Sequence, residues 1–159
     1  PGRLEQVNHP GSFKVVVDYA HTDGALEAVL AALRPVTPGR LITIFGCGGD
    51  RDTTKRPRMG KVAESGSDRI ILTSDNPRSE SPAKILSEIM TGIEQPEEVT
   101  REEDRRAAIG LGIRMAREGD TVLIAGKGHE DYQEFSNRER IHFDDREVAE
   151  EFLKEVCYA

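Results

Sequence analysis

Short runs rich in β-branched residues recur along this chain: Phe13 to Tyr19, Leu41 to Phe45, Arg69 to Thr73 and Thr121 to Ala125. Longer stretches with apolar residues at three- and four-residue spacing lie between them. Such alternation is the mark of βα units, which build a mainly parallel sheet with helices on both faces. A fainter run near Val99 and another at Arg140 to Phe143 bring the strand candidates to six. The expected class is therefore α/β, a Rossmann-like, open, mainly parallel six-stranded sheet covered on both sides.

The helical stretches show where each would bury a face. Leu26, Val29, Leu30 and Leu33 form one stripe, and Ile85 and Ile89 form another behind the start signal Ser81-Pro82. Asp104 to Arg117 continues through Ala108, Leu111 and Met115, and Asp145 to Val156 carries Val148, Phe152 and Val156 on one side. At 159 residues the chain is the size of one domain. Its opening, "PGRLEQV", reads as the continuation of something upstream.

A net charge of -7, spread along the helices, argues against a nucleic-acid partner. The longest apolar runs are far shorter than the roughly 20 residues a membrane span needs. Two cysteines, Cys47 and Cys157, lack the spaced companions of a zinc site or a disulfide framework, which suits a reducing cytoplasm.

In open α/β sheets, ligands gather where strand C-termini meet loops. Four loops in that position are unusual: "DYAHTDGAL" from Asp18, "GCGGDRD" from Gly46, "SDNPRSESP" from Ser74 and "GKGHE" from Gly126. Gly46, Gly48 and Gly49 would let a backbone approach a phosphate. Their spacing is neither that of a dinucleotide fingerprint nor that of a P-loop, so a plain tight turn fits equally well. Lys127 is no P-loop lysine either, with Val122 where the first glycine should stand and Gly128 where a serine or threonine should follow. His129 and Glu130 find no metal-ligand spacing with His9, His21 or His142, so no metal site is expected. His21 is placed to hydrogen-bond a ligand as a neutral imidazole, though a lone histidine is more often structural or merely exposed. Arg78, in a stiff Asx-Pro loop, is suited to gripping a carboxylate with two parallel hydrogen bonds, though a solvated surface arginine is the commoner case.

In this order and spacing, "DYAHT", "GCGGDRD", "KRP.MG" (Lys55 to Gly60), "DNPR" and "AGKGHEDYQ" resemble the signatures of the C-terminal domain of the Mur ligase family. The resemblance covers nearly the whole chain. It implies that residues 1–159 are the amino-acid-binding domain of a longer, three-domain, ATP-dependent amide ligase of peptidoglycan synthesis. In that family the "DNPR" loop goes with meso-diaminopimelate, while lysine-adding relatives replace its arginine. The implied reaction joins meso-diaminopimelate to UDP-N-acetylmuramoyl-L-alanyl-D-glutamate. ATP, Mg2+ and the UDP-sugar would be held mainly by upstream domains, leaving this part a monomer, inactive alone and without a catalytic residue.

Carried over residue by residue, Arg51, Asp75, Asn76, Pro77, Arg78, Gly126 and Glu130 would line the amino-acid pocket, with Tyr19 and His21 on the ATP side. Arg78, aided by Arg51, would take the distal carboxylate; Glu130 and the Gly126 carbonyl would take the distal ammonium. Lysine, lacking that carboxylate, would leave Arg78 unpaired at roughly 1–3 kcal/mol. The chain departs from the family pattern at Asp23-Gly24, Thr53-Thr54 and Arg58, none of them a proposed amino-acid contact. A non-catalytic module for a small anionic amino acid, and a ligase of the folylpolyglutamate or cyanophycin synthetase type, remain the alternatives.

Overall fold

The computed structural model describes residues 2–157. A two-residue strand β1 (Glu5–Gln6) precedes β2 (Lys14–Asp18), α1 (Asp23–Leu33), β3 (Leu41–Phe45), α2 (Lys55–Gly66) and β4 (Arg69–Leu72). Next come α3 (Pro82–Met90), β5 (Val99–Arg101), α4 (Arg105–Met115), β6 (Thr121–Ala125), β7 (Tyr132–Glu134), β8 (Arg140–His142) and α5 (Asp145–Cys157). The main sheet has six strands in the order β1-β2-β6-β3-β4-β5, parallel except for the antiparallel edge strand β1.

Because side chains alternate across a strand, the sheet divides the core into two layers. Val16, Leu41, Phe45, Leu72, Leu123 and Ala125 meet the stripes of α1, α2 and α3 on one face. On the other, Val15, Val17, Ile42, Ile44, Val122 and Ile124 pack against Ile109 and Ile113 of α4 and Val148 and Leu153 of α5. Each fully buried Leu, Ile or Val contributes about 1.5–3 kcal/mol relative to exposure. The helices start on local signals: the Thr22 side chain accepts from the Ala25 amide at 3.1 Å, and Ser81 accepts from Lys84 at 3.4 Å with Pro82 next.

The expected class and strand count hold, but the sixth strand differs. Arg140 to Phe143 does not join the main sheet; its core pairs with β7 in a separate two-stranded ribbon, and Arg140, Ile141 and His142 are exposed. Its place in the count is taken by β1, too short and polar to signal itself. Helix α2 was also hidden, because its buried positions include Arg56 and Gly60 beside Met59 and Ala63. On α4 the buried stripe is rotated from the expected one: Leu111 is exposed, while Gly112 lies so close to the sheet that a Cβ there would come within 2.6 Å of Ile44. Val156 on α5 is likewise exposed. Asp23 and Arg58, both departures from the family pattern, meet across α1 and α2 at 3.4 Å.

Candidate functional site

The four unusual loops leave the C-terminal ends of β2, β6, β3 and β4, which are consecutive neighbours in the sheet. Two glycines let the loops after β3 and β4 touch. A Cβ on Gly46 would sit 2.0 Å from the Thr73 carbonyl oxygen, and one on Gly49 would sit 1.9 Å from that of Pro77. With no side chain in the way, the Gly49 amide donates to the Asn76 carbonyl at 2.7 Å.

Lys127 stands where the loops after β4 and β6 converge. Its ammonium is fully buried, donates to the Asn76 side-chain oxygen at 2.9 Å, and lies 3.5 Å from Asp75 and 3.4 Å from Glu130. The Asn76 oxygen also accepts from the Glu134 amide at 2.9 Å. This junction gathers Asp75, Asn76, Gly126 and Glu130; a Cβ on Gly126 would be 2.7 Å from an Asp75 carboxylate oxygen. Lys127 is thus a buried counter-ion rather than a P-loop lysine, and its nearest acidic partner in sequence is Glu130, three residues on.

Arg51 and Arg78 meet at a neighbouring cleft of about 390 Å³, walled also by Asp50, Glu134, Phe135 and Arg138. Arg78 holds φ of +54°, a left-handed backbone that costs a non-glycine residue about 1 kcal/mol or more. Its amide donates to the Glu134 carbonyl at 3.1 Å, its Nη1 donates to the Gly49 carbonyl at 2.8 Å, and its Nε lies 3.5 Å from the Glu134 carboxylate. Arg51 is exposed, and its Nη1 donates to the carbonyl of its neighbour Asp50 at 3.0 Å. Pro77 is buried beneath the loop. The cleft offers guanidinium groups with carboxylates beside them, which suits a zwitterion.

Residues outside the expected pocket shape this floor. Arg56 is wholly buried and binds Glu80 at 2.7 Å, Glu88 at 3.0 Å and the Gly48 carbonyl at 3.0 Å. Those hydrogen bonds from Arg56 push the Glu80 carboxyl down to about 2. Glu80 also accepts from the Asp50 amide at 2.7 Å, and Asp50 in turn accepts from the Ser79 hydroxyl at 2.6 Å. Under the sheet end, Arg105 and Asp145 form a fully buried pair at 2.7 Å.

Tyr19 and His21 lie apart from the cleft, at the end of β2. Their rings are 4.6 Å apart, His129 stacks near Tyr19 at 6.1 Å, and Lys55 donates to the His21 carbonyl at 2.7 Å. His21 is exposed, its Nδ1 2.9 Å from the Tyr19 carbonyl. Among the described residues no group of three His, Cys, Asp or Glu side chains lies close enough to hold a metal ion. None of the described helices is long and apolar enough to cross a membrane.

Comparison with known proteins places this geometry among ligases. The family model "Mur ligase, glutamate ligase domain" matches residues 2–128. The UDP-N-acetylmuramoyl-L-alanyl-D-glutamate--2,6-diaminopimelate ligase of Solibacter usitatus is 54% identical over 159 residues, covering 99% of this chain and 32% of the relative. The enzyme of that name from Aquifex aeolicus is 54% identical over 153 residues, covering 96% and 31%. A solved structure of a ligase of the same name superposes with a TM-score of 0.92 at 43% identity, covering 98% of this chain and 32% of that one. A folylpolyglutamate synthase from Mycobacterium tuberculosis, at 20% identity, TM-score 0.57 and coverage of 79% and 29%, shares the fold alone. The chain spans about a third of the length of the curated relatives it matches.

Proposed function

This chain belongs to the Mur ligase family, as its glutamate ligase domain, and from that membership we propose that it seats the incoming amino acid for an ATP-dependent ligase joining meso-diaminopimelate to UDP-N-acetylmuramoyl-L-alanyl-D-glutamate. The observation that carries this reading is the pairing of Arg51 and Arg78 at one cleft, with the Asp75–Glu130–Lys127 junction beside it. A distal carboxylate would be taken by Arg78 and Arg51, and the ammonium on the same carbon by Glu130 and the Gly126 carbonyl, with Asp75, Asn76 and Pro77 shaping the loop between.

In such a ligation ATP phosphorylates the acceptor carboxylate, the amine attacks the acyl phosphate to form the amide, and phosphate leaves. The contribution of this domain is position: an amine fixed at one end and free at the other reacts as an intramolecular nucleophile. Tyr19 and His21, the latter tied to α2 through Lys55, would border the nucleotide on the side of β2. The remaining ATP contacts, the magnesium ligands and the UDP-sugar site would come from a part of the protein beyond residues 1–159, and the reaction would run in the cytoplasm.

The full-length protein should consume ATP only when the UDP-muramoyl dipeptide and meso-diaminopimelate are both present. Equal turnover with L-lysine would overturn the substrate assignment.

A further inference from the structure

The loops after β4 and β6 converge although β3 lies between their strands. β3 spaces the two strands as far as its last rungs, Phe45 with Leu72 and Ile44 with Ile124, and beyond these the loops have no ladder between them. The Arg105 side chain spans that gap from below, fully buried at the first position of α4. Its Nη1 donates to the Ser74 carbonyl at 3.0 Å and its Nη2 to the Ala125 carbonyl at 3.3 Å. These residues immediately precede Asp75 and Gly126. Nε and Nη2 are fixed in turn by the two Asp145 oxygens, each at 2.7 Å, from the first residue of α5. Gln133 completes the brace, its side-chain Nε2 donating to the Asp75 carbonyl at 2.8 Å.

A buried ion pair adds little net stability over apolar residues of like volume, so stability alone is a poor account of this one. What the planar fork supplies, and an apolar pair cannot, is a fixed set of donors. Burial opposes the charge of Arg105, but Asp145 outweighs it and raises the pKa, so the fork stays charged throughout. Resting on the reading that these two loops grip the amino acid, we propose that Arg105 is a positioning residue, one that sets the distance between the Asp75–Arg78 loop and the Gly126–Glu130 loop. It touches no substrate and acts through the Ser74 and Ala125 carbonyls.

The test uses the full-length protein with Arg105→Lys and with the apolar pair Arg105→Met/Asp145→Leu. The pair should melt close to wild type, while the KM for the amino acid rises at least tenfold and the KM values for ATP and the UDP-muramoyl dipeptide stay within about twofold. Arg105→Lys, whose single ammonium cannot reach Asp145 and both carbonyls together, should shift the same KM in the same direction, and it carries the test if the pair fails to fold. Amide hydrogen exchange, which needs no substrate, should quicken in both loops and not in α3. A folded variant with unchanged amino-acid KM and unchanged loop exchange would overturn the role, as would all three KM values rising together. Wild type assayed with meso-diaminopimelate and with L-lysine separates the two readings: indifference between them defeats the substrate assignment, whereas the KM split and the loop exchange still decide Arg105.

Discussion

The Arg78 guanidinium donates to the Gly49 carbonyl oxygen at 2.8 Å, so the group assigned to a substrate carboxylate is already aimed by the loop after β3. A lysine could not keep that bond and also present a flat donor pair to a ligand. Arg78→Lys should raise the KM for meso-diaminopimelate by roughly 10–100-fold, equivalent to about 1.4–2.8 kcal/mol, in steady-state assays of the full-length enzyme. An unchanged KM would remove Arg78 from the site.

Lys127 is the sole buried cation between Asp75 and Glu130 among the described residues. Replacing it with Met removes the counter-ion in contact with those carboxylates and leaves them the more distant charge of Arg105, itself engaged by Asp145. Lys127→Met should cost about 3 kcal/mol, seen in urea titration as a lower midpoint with an unchanged slope. Wild-type stability would show that water, not Lys127, balances the junction.

The Glu80 carboxyl, held at about 2 by Arg56, ties acid stability to the loops after β3 and β4. A carboxylate whose folded value lies below its unfolded value gives stability that is complete above the unfolded value and vanishes as pH falls through the folded one. The contribution should therefore decline between about pH 4.5 and pH 2. Glu80→Gln should flatten the fall in melting temperature over that window, and a curve parallel to wild type would contradict the linkage.

Burial pushes the Cys47 thiol up to about 12, whereas Cys157 is half-exposed. Thiolate is the reactive form. In native protein a thiol reagent should label Cys157 and spare Cys47 until denaturant is added; fast labelling of Cys47 would mean that the Gly46–Asp52 loop opens.

Gly46→Ala would drive a methyl to within 2.0 Å of the Thr73 carbonyl. The two strand ends would have to part, at about 3 kcal/mol or more, with a lowered melting temperature and weakened amino-acid binding measured together. Normal values for both would show that the loops tolerate separation.

The sequence made the central strands legible because five-residue apolar runs such as Leu41–Phe45 and Thr121–Ala125 are buried on both faces. The four loops were legible through glycine, proline and histidine at strand ends. Helix α2 was not, since a buried Arg56 and a Gly60 pressed against the Ile89 carbonyl read as breaks in an apolar stripe. The burial of Lys127 and Arg105 was not legible for a related reason: each is a charge whose burial depends on partners 40 or more residues away, Asn76 for one and Asp145 for the other. The Arg140–His142 run shows the opposite error, because a strand-like pattern cannot reveal which sheet it joins.

Three ion-paired cations beneath the cleft and its neighbouring junction, Arg56, Arg105 and Lys127, have no exposed side-chain surface. The ion pairs across the outer face of α4 and α5, Arg106–Glu151 and Arg114–Glu155, are about half exposed. At 1 M salt the screening length is only about 3 Å, short enough to quench the outer pairs while leaving the inner ones untouched. High salt would therefore loosen the ties between the outer faces of α4 and α5 before it reached the three cations beneath the strand ends.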